Sequence, residues 1–77
     1  MISLKVRNRL KELRARHDLS QQELAEAIGV TRQTIISIEK ERYVPSVLLA
    51  LRAARVLKVP LEEAFWLDDS EEGGWSS

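Results

Sequence analysis

The stretch from Ser20 to Thr31 writes a helix start, a helix stop and a second helix start in quick succession. Ser20-Gln21-Gln22-Glu23 has the form of a capping box, in which the serine hydroxyl accepts from the Glu23 N–H while the glutamate reaches back to the Ser20 N–H. Leu19 before the cap and Leu24 after it sit where a hydrophobic staple closes. Gly29 falls where a helix ends in a left-handed residue, a conformation that costs glycine nothing because it has no Cβ. Two residues on, Thr31 can cap another helix, with Val30 and Ile35 as its staple pair. Helices joined so tightly must cross steeply. Leu24, Ile28, Val30, Ile35 and Ile38 then plug the angle between them, and Ala25 is small where one backbone passes over the other.

The rest of the chain is helical in pattern, without sustained alternation of apolar and polar residues. Val6, Leu10 and Leu13 recur at i, i+4 and i+7 and predict a first helix ending near His17-Asp18. Its other face is basic, with Lys5, Arg7, Arg9, Lys11 and Arg14. Lys40 to Val44 is polar and irregular. Ser46 caps a further helix whose stripe is Val47, Ala50, Leu51, Ala54 and Leu57. Pro60 opens a last short helix, with Glu62 and Glu63 suited to its positive end and Phe65 as core anchor. The expectation is a compact all-α fold of five helices in one small domain, which 77 residues can just sustain. Trp66 cannot bury on the same face as its neighbour Phe65, so two readings stand for its ring: it looks outward or to a partner, or it folds back over the core.

Composition narrows the chemistry. With no cysteine and one histidine, His17, the chain cannot build a disulfide, a thiolate metal site or a site needing two imidazoles. There is no nucleophile–base pair and no phosphate loop, so an enzyme is not expected. Asp68, Asp69, Glu71 and Glu72 crowd a terminal stretch without fixed geometry, so neither a metal nor another cofactor is expected. No apolar run approaches the ~20 residues of a membrane span and no secretory leader is visible, which predicts an intracellular protein without a membrane partner.

Lys and Arg number 12, as do Asp and Glu, giving zero net charge. The sum hides an asymmetry. Residues 1–44 carry nine basic and six acidic side chains, and the remainder three and six. Residues 1–67 alone total +4. The sequence thus divides into a domain, 1–67, and an acidic, flexible tail, 68–77. The tail is either a solvated terminus or a segment that tunes a basic neighbour or meets a partner.

Residues 21–40 fit two helices joined by a turn of about three to four residues containing glycine, the helix-turn-helix unit. On a wheel at about 100° per residue, Ile35 and Ile38 set the inward direction of the second helix, 32–39. Gln33, Ile36, Ser37 and Lys40 then point outward, with Arg32 at the N-terminal edge. Such a helix fits the major groove of DNA, where Arg pairs with guanine O6/N7 and Gln with adenine N6/N7.

From about Arg7 to Phe65 the chain resembles the Cro/repressor-type helix-turn-helix family, also called Xre, of phage and prokaryotic transcriptional regulators. The resemblance is carried by Asn8-Arg9-Leu10-Lys11-Glu12-Leu13-Arg14, Leu19-Ser20-Gln21-Gln22-Glu23-Leu24-Ala25, Gly29-Val30-Thr31-Arg32-Gln33-Thr34-Ile35 and Ile38-Glu39. It implies a lambda-repressor-like fold and sequence-specific binding of double-stranded DNA by a small regulator, expected to repress. It implies that Arg32, Gln33 and Ser37 face base edges, that Ser20 and Gln21 meet a phosphate, and that Lys40, Arg42 and Tyr43 contact the flanking strand. Arg14 and Glu39 occupy the positions of a structural ion pair.

Three departures from the family pattern stand out. Glu41 occupies a position usually held by glycine, Ile36 one often held by a small polar residue, and Leu48 one often held by an acid. Ile36 either touches a thymine methyl or covers the core edge. Leu48 is expected to be solvent-exposed. A palindromic operator and a homodimer contacting through Leu61, Phe65, Trp66 and Leu67 are the expected partners, in the cytoplasm and associated with the nucleoid. The alternative is an antitoxin-like interaction module that also binds DNA, its protein partner meeting the C-terminal region.

Overall fold

The computed structural model describes residues 5–68. Asp69, Glu71 and Glu72, on which most of the tail expectation rests, lie outside them. The described chain runs β1 (Lys5–Asn8), α1 (Leu10–Arg16), α2 (Gln21–Ile28), α3 (Arg32–Glu39), α4 (Val47–Val56), α5 (Leu61–Ala64) and β2 (Phe65–Asp68).

The five expected helices are present, but the fold is not fully all-α. β1 and β2 pair antiparallel, with Val6 opposite Leu67 and Asn8 opposite Phe65. The expected first helix therefore loses its N-terminal turn, and Val6, Lys5 and Arg7 belong to a strand. The misreading has a physical origin: Val6 packs against the core from the strand, and its spacing to Leu10 and Leu13 also fits a helix stripe. What decides is Asn8. Its Oδ1 accepts from the Leu10 N–H at 3.1 Å and its Nδ2 donates to the Ile38 carbonyl at 2.9 Å, fixing the helix start and tying it to the end of α3. The strand also resolves Trp66. Successive strand residues face opposite ways, so Phe65 is 8% exposed and Trp66 37%. Asp68, the first acid of the expected tail, is the last residue of β2, opposite Lys5.

Leu10, Leu13, Leu24, Ile28, Ile35 and Leu57 form the fully buried centre. α4 departs from its expected stripe. Val47 and Leu51 are exposed, and the buried residues are Ala50, Ala53 and Ala54, with Leu57 beyond them. Small side chains let α4 lie close to its neighbours, and the large apolar ones are left on its outer side. Leu48 is exposed, as expected.

The helix ends share one device. Asp18, Glu41 and Lys58 have φ of 55°, 62° and 59°, and Gly29 has φ of 82°. After α3, the Glu41 N–H bonds the Ile38 carbonyl and the Arg42 N–H bonds that of Ser37. This is a Schellman motif. Asp18-Leu19 and Lys58-Val59 close α1 and α4 by the same pattern. The departure at Glu41 is thus one of residue type only: the left-handed turn is present without its usual glycine.

Candidate nucleic-acid interface

The capping box closes at both arms, with Glu23 N–H on Ser20 Oγ at 3.0 Å and Ser20 N–H on Glu23 Oε1 at 2.8 Å. At the start of α3, Thr31 Oγ1 accepts from the Thr34 N–H at 3.2 Å. These two caps and Gly29 fix the angle at which α3 leaves α2. Ile35 and Ile38 are buried under α3, which turns Arg32 and Gln33 to solvent and leaves Ile36 and Ser37 half-buried.

The outer ridge of α3 has a different border on each side. Arg32 shares a polar hollow with Ser20, Gln21 and Gln22 at the α2 N-terminus. Ile36 and Lys40 share another with Gln21, Arg14 and Lys11, and with Glu39, the acid that ends α3. On the opposite flank Gln33 and Ser37 meet Thr31, Thr34 and Tyr43. The structure therefore gathers Ser20, Gln21, Arg32, Gln33, Ile36, Ser37, Lys40 and Tyr43 on one side of the molecule. Arg42 is exposed on the turn that follows.

Lys11 is the residue that the sequence reading left in a general basic face. The signal that singles it out is its spacing of three from Arg14, which puts both on the face of α1 that meets α3. Arg14 reaches across that face, donating from Nε to Glu39 Oε2 at 2.7 Å and from Nη2 to Oε1 at 3.2 Å.

Both acids near this surface have cationic partners. Glu39 is paired with Arg14 and also accepts from Gln21 Nε2 at 3.2 Å. Gln21 keeps a second amide hydrogen for an outside acceptor. Glu41 lies 2.9 Å from Arg7 Nε, and Arg7 Nη1 lies 2.8 Å from Asp68. The field around Glu41 first, and the hydrogen bond to Asp68 next, raise the Arg7 pKa above its ordinary value. The outer ridge of α3 is consequently polar to basic, with no exposed carboxylate among Arg32, Gln33, Ile36, Ser37 and Lys40.

A family profile described as Helix-turn-helix matches residues 10–63. The chain belongs to the helix-turn-helix family. It is 50% identical over 64 residues to the uncharacterized HTH-type transcriptional regulator YgzD of Bacillus subtilis, covering 83% of this chain and 97% of that one. An uncharacterized HTH-type transcriptional regulator of Methanothermobacter thermautotrophicus is 51% identical over 65 residues, covering 83% and 94%. Among solved structures, the restriction-modification controller protein C.AhdI of Aeromonas hydrophila aligns at a TM-score of 0.66 and 31% identity, over 70% of this chain and 82% of that one. The region shared with the helix-turn-helix profile takes in α1 to α4 and all of α5 but Ala64, whereas both strands, β1 and β2, lie beyond it.

The residues expected at a dimer contact are not alike. Phe65 is buried in the chain's own core, and Leu61 is half-buried along the groove that Trp66 and Leu67 line. Trp66 and Leu67 are exposed, beside an apolar groove to which Val44 and Val47 also contribute. Arg9 covers one face of the Trp66 ring, its guanidinium carbon 4.7 Å from the centroid. The ring is thus stacked on one face, while 37% of the residue stays exposed. No group of three His, Cys, Asp or Glu among the described residues is placed to hold a metal ion.

Proposed function

We propose that this chain regulates transcription by binding double-stranded DNA at specific sites, with α3 in the major groove. The observation that carries the reading is the outer ridge of α3, formed by Arg32, Gln33, Ile36, Ser37 and Lys40, which begins beside the capped N-terminus of α2 and whose neighbouring acid, Glu39, is held by Arg14. Arg32 and Gln33 at the helix tip are the base readers, with Ser37 behind them and Ile36 available to a thymine methyl. Ser20, Gln21, Lys40, Arg42 and Tyr43 hold phosphates and fix the register of the helix. Lys11 joins them on the α1 side. The chain acts by occupying an operator and so represses, without catalysis of its own.

Regulators of this motif class bind as two-fold dimers with half-sites ~34 Å apart. Trp66 and Leu67 supply the exposed apolar part of that contact, backed by Leu61 and Phe65 from within. No helix of the described residues is long and apolar enough to cross a membrane. Cytoplasm at the nucleoid is the location that fits a DNA partner.

Selection from a random duplex pool at two salt concentrations tests the proposal. Enrichment of a palindrome with half-sites one helical turn apart supports it, and the salt slope of the affinity counts the phosphates engaged. A pool that stays unenriched at both salts refutes it.

A further inference from the structure

Glu41 presents a problem for the DNA reading, on which the following inference rests. It stands between Lys40 and Arg42, two residues assigned to phosphates, and a carboxylate there opposes the same phosphates. Its backbone is fixed by the Schellman turn, so the side chain's direction depends on what it can reach. It reaches Arg7. Arg7 Nε donates to Glu41 Oε2 at 2.9 Å, and Arg7 Nη1 donates to Asp68 Oδ2 at 2.8 Å. Glu41 lines a surface hollow with Lys5, Val6 and Val44 at the side of β1, and Lys40 borders the same hollow, so it is the pairing with Arg7 that sets the carboxylate's direction. The planar guanidinium suits this task, because its separate N–H edges serve two carboxylates at once.

We propose that Arg7 is a positioning residue for DNA binding: it draws the Glu41 carboxylate back to the β-sheet, so that the acid following α3 does not oppose the phosphates held by Lys40 and Arg42. Arg7 itself touches no DNA in this arrangement. Its action runs through Glu41, and that makes it separable from an ordinary phosphate contact.

The test is the affinity of the full chain for a duplex recovered by the selection described above. Arg7→Gln, Glu41→Gln, the double variant and Arg7→Lys are compared by fluorescence anisotropy over a salt series, with melting curves run alongside. Arg7→Gln is expected to raise Kd about fivefold at low salt, the size of one unit-charge interaction across a few ångströms of water, with the gap closing as salt screens it. Adding Glu41→Gln is expected to restore Kd to within about twofold of the parent, the mark of two coupled positions. Arg7→Lys, which keeps the charge, binds more tightly than Arg7→Gln. A double variant as weak as Arg7→Gln overturns the proposal, because Arg7 then acts without Glu41. So does an Arg7→Gln variant that binds like the parent, or an Arg7→Lys variant no better than Arg7→Gln. A parent chain that enriches no duplex refutes the DNA reading instead.

Discussion

Arg14 and Glu39 meet end to end across the interface of α1 and α3, Nε to Oε2 at 2.7 Å, with their side chains only 13% and 10% exposed. Arg14 Nη1 also donates to the Leu19 carbonyl at 3.0 Å, so the same side chain holds the loop that leads into α2. A pair so enclosed is costly to break from one side, because the surviving charge stays buried without its partner. Glu39→Ala is expected to cost about 3 kcal/mol, read from urea denaturation. Replacing both together, as Arg14→Met with Glu39→Leu, is expected to cost less, about 1–2 kcal/mol, since two apolar side chains leave no charge unpaired and only the hydrogen bonds to the Leu19 carbonyl and from Gln21 are lost. A single variant as stable as the parent shows that water reaches the pair.

Lys58 holds a left-handed backbone, φ 59°, at the turn after α4. Its side chain is exposed and its position in the Schellman motif is one that glycine fills without Cβ strain. Lys58→Gly is expected to stabilise the chain by about 0.5–1 kcal/mol, or roughly 2–8 °C in Tm for a domain of this size. Gly29→Ala runs the other way. A Cβ there meets nothing closer than Arg52 Nη1 at 3.6 Å, so space is available, but φ of 82° is strained for any L side chain. A loss of about 1 kcal/mol is expected from the backbone alone. Thermal melts of the two variants check both signs at once.

The base-reading and phosphate roles separate by specificity. Arg32→Ala or Gln33→Ala is expected to cost about 1–3 kcal/mol of binding and to relax preference at particular base pairs. Gln21→Ala and Lys11→Ala are expected to weaken all sequences about equally, and Lys11→Ala to lower the salt slope by about one. Quantitative binding to a panel of single-base variants of the selected site distinguishes the classes. Preferences left intact in both the Arg32 and Gln33 variants would remove α3 as the reader.

The parts of this molecule that were legible in its sequence are those fixed by local chemistry. Ser20 with Glu23, Gly29, Thr31 and Ser46 each announce a helix boundary through a hydrogen bond or a backbone angle that a neighbouring residue completes, and the five helices follow. The β-pairing of residues 5–8 with 65–68 was illegible because its partners lie far apart in the chain and each strand is only four residues long. Neither shows an alternation that helix periodicity could not also claim. The left-handed turns at Asp18, Glu41 and Lys58 were hidden for a related reason, since only Gly29 carries the residue type that usually marks them. In the candidate interface, the outward set on α3 came from two buried isoleucines and a wheel. Arg7 did not, because placing it beside Glu41 requires the strand.

Trp66 offers the last test, because the sheet places it outward while leaving it half engaged. Arg9 stacks on one face of its ring at 4.7 Å, a contact worth about 0.5–1 kcal/mol at an exposed site. Trp66 also lines the apolar groove that Val44, Val47 and Leu67 border, and 37% of the residue is exposed. An aromatic ring already ordered by a cation loses little freedom when a second surface covers it, which favours it as the anchor of a dimer contact. Trp66→Ala is therefore expected to reduce Tm only slightly, by the lost stacking, while weakening self-association about 30-fold or more, as truncation of such an anchor does. Sedimentation of the free chain reads the association, and titration of a two-half-site operator reads its consequence. Binding to a single half-site is expected to stay as it was, since α3 is untouched. If the variant sediments as the parent does and binds the full operator equally well, the dimer contact lies elsewhere, and the exposed outer side of α4 at Leu48 and Leu51 becomes the next surface to cut.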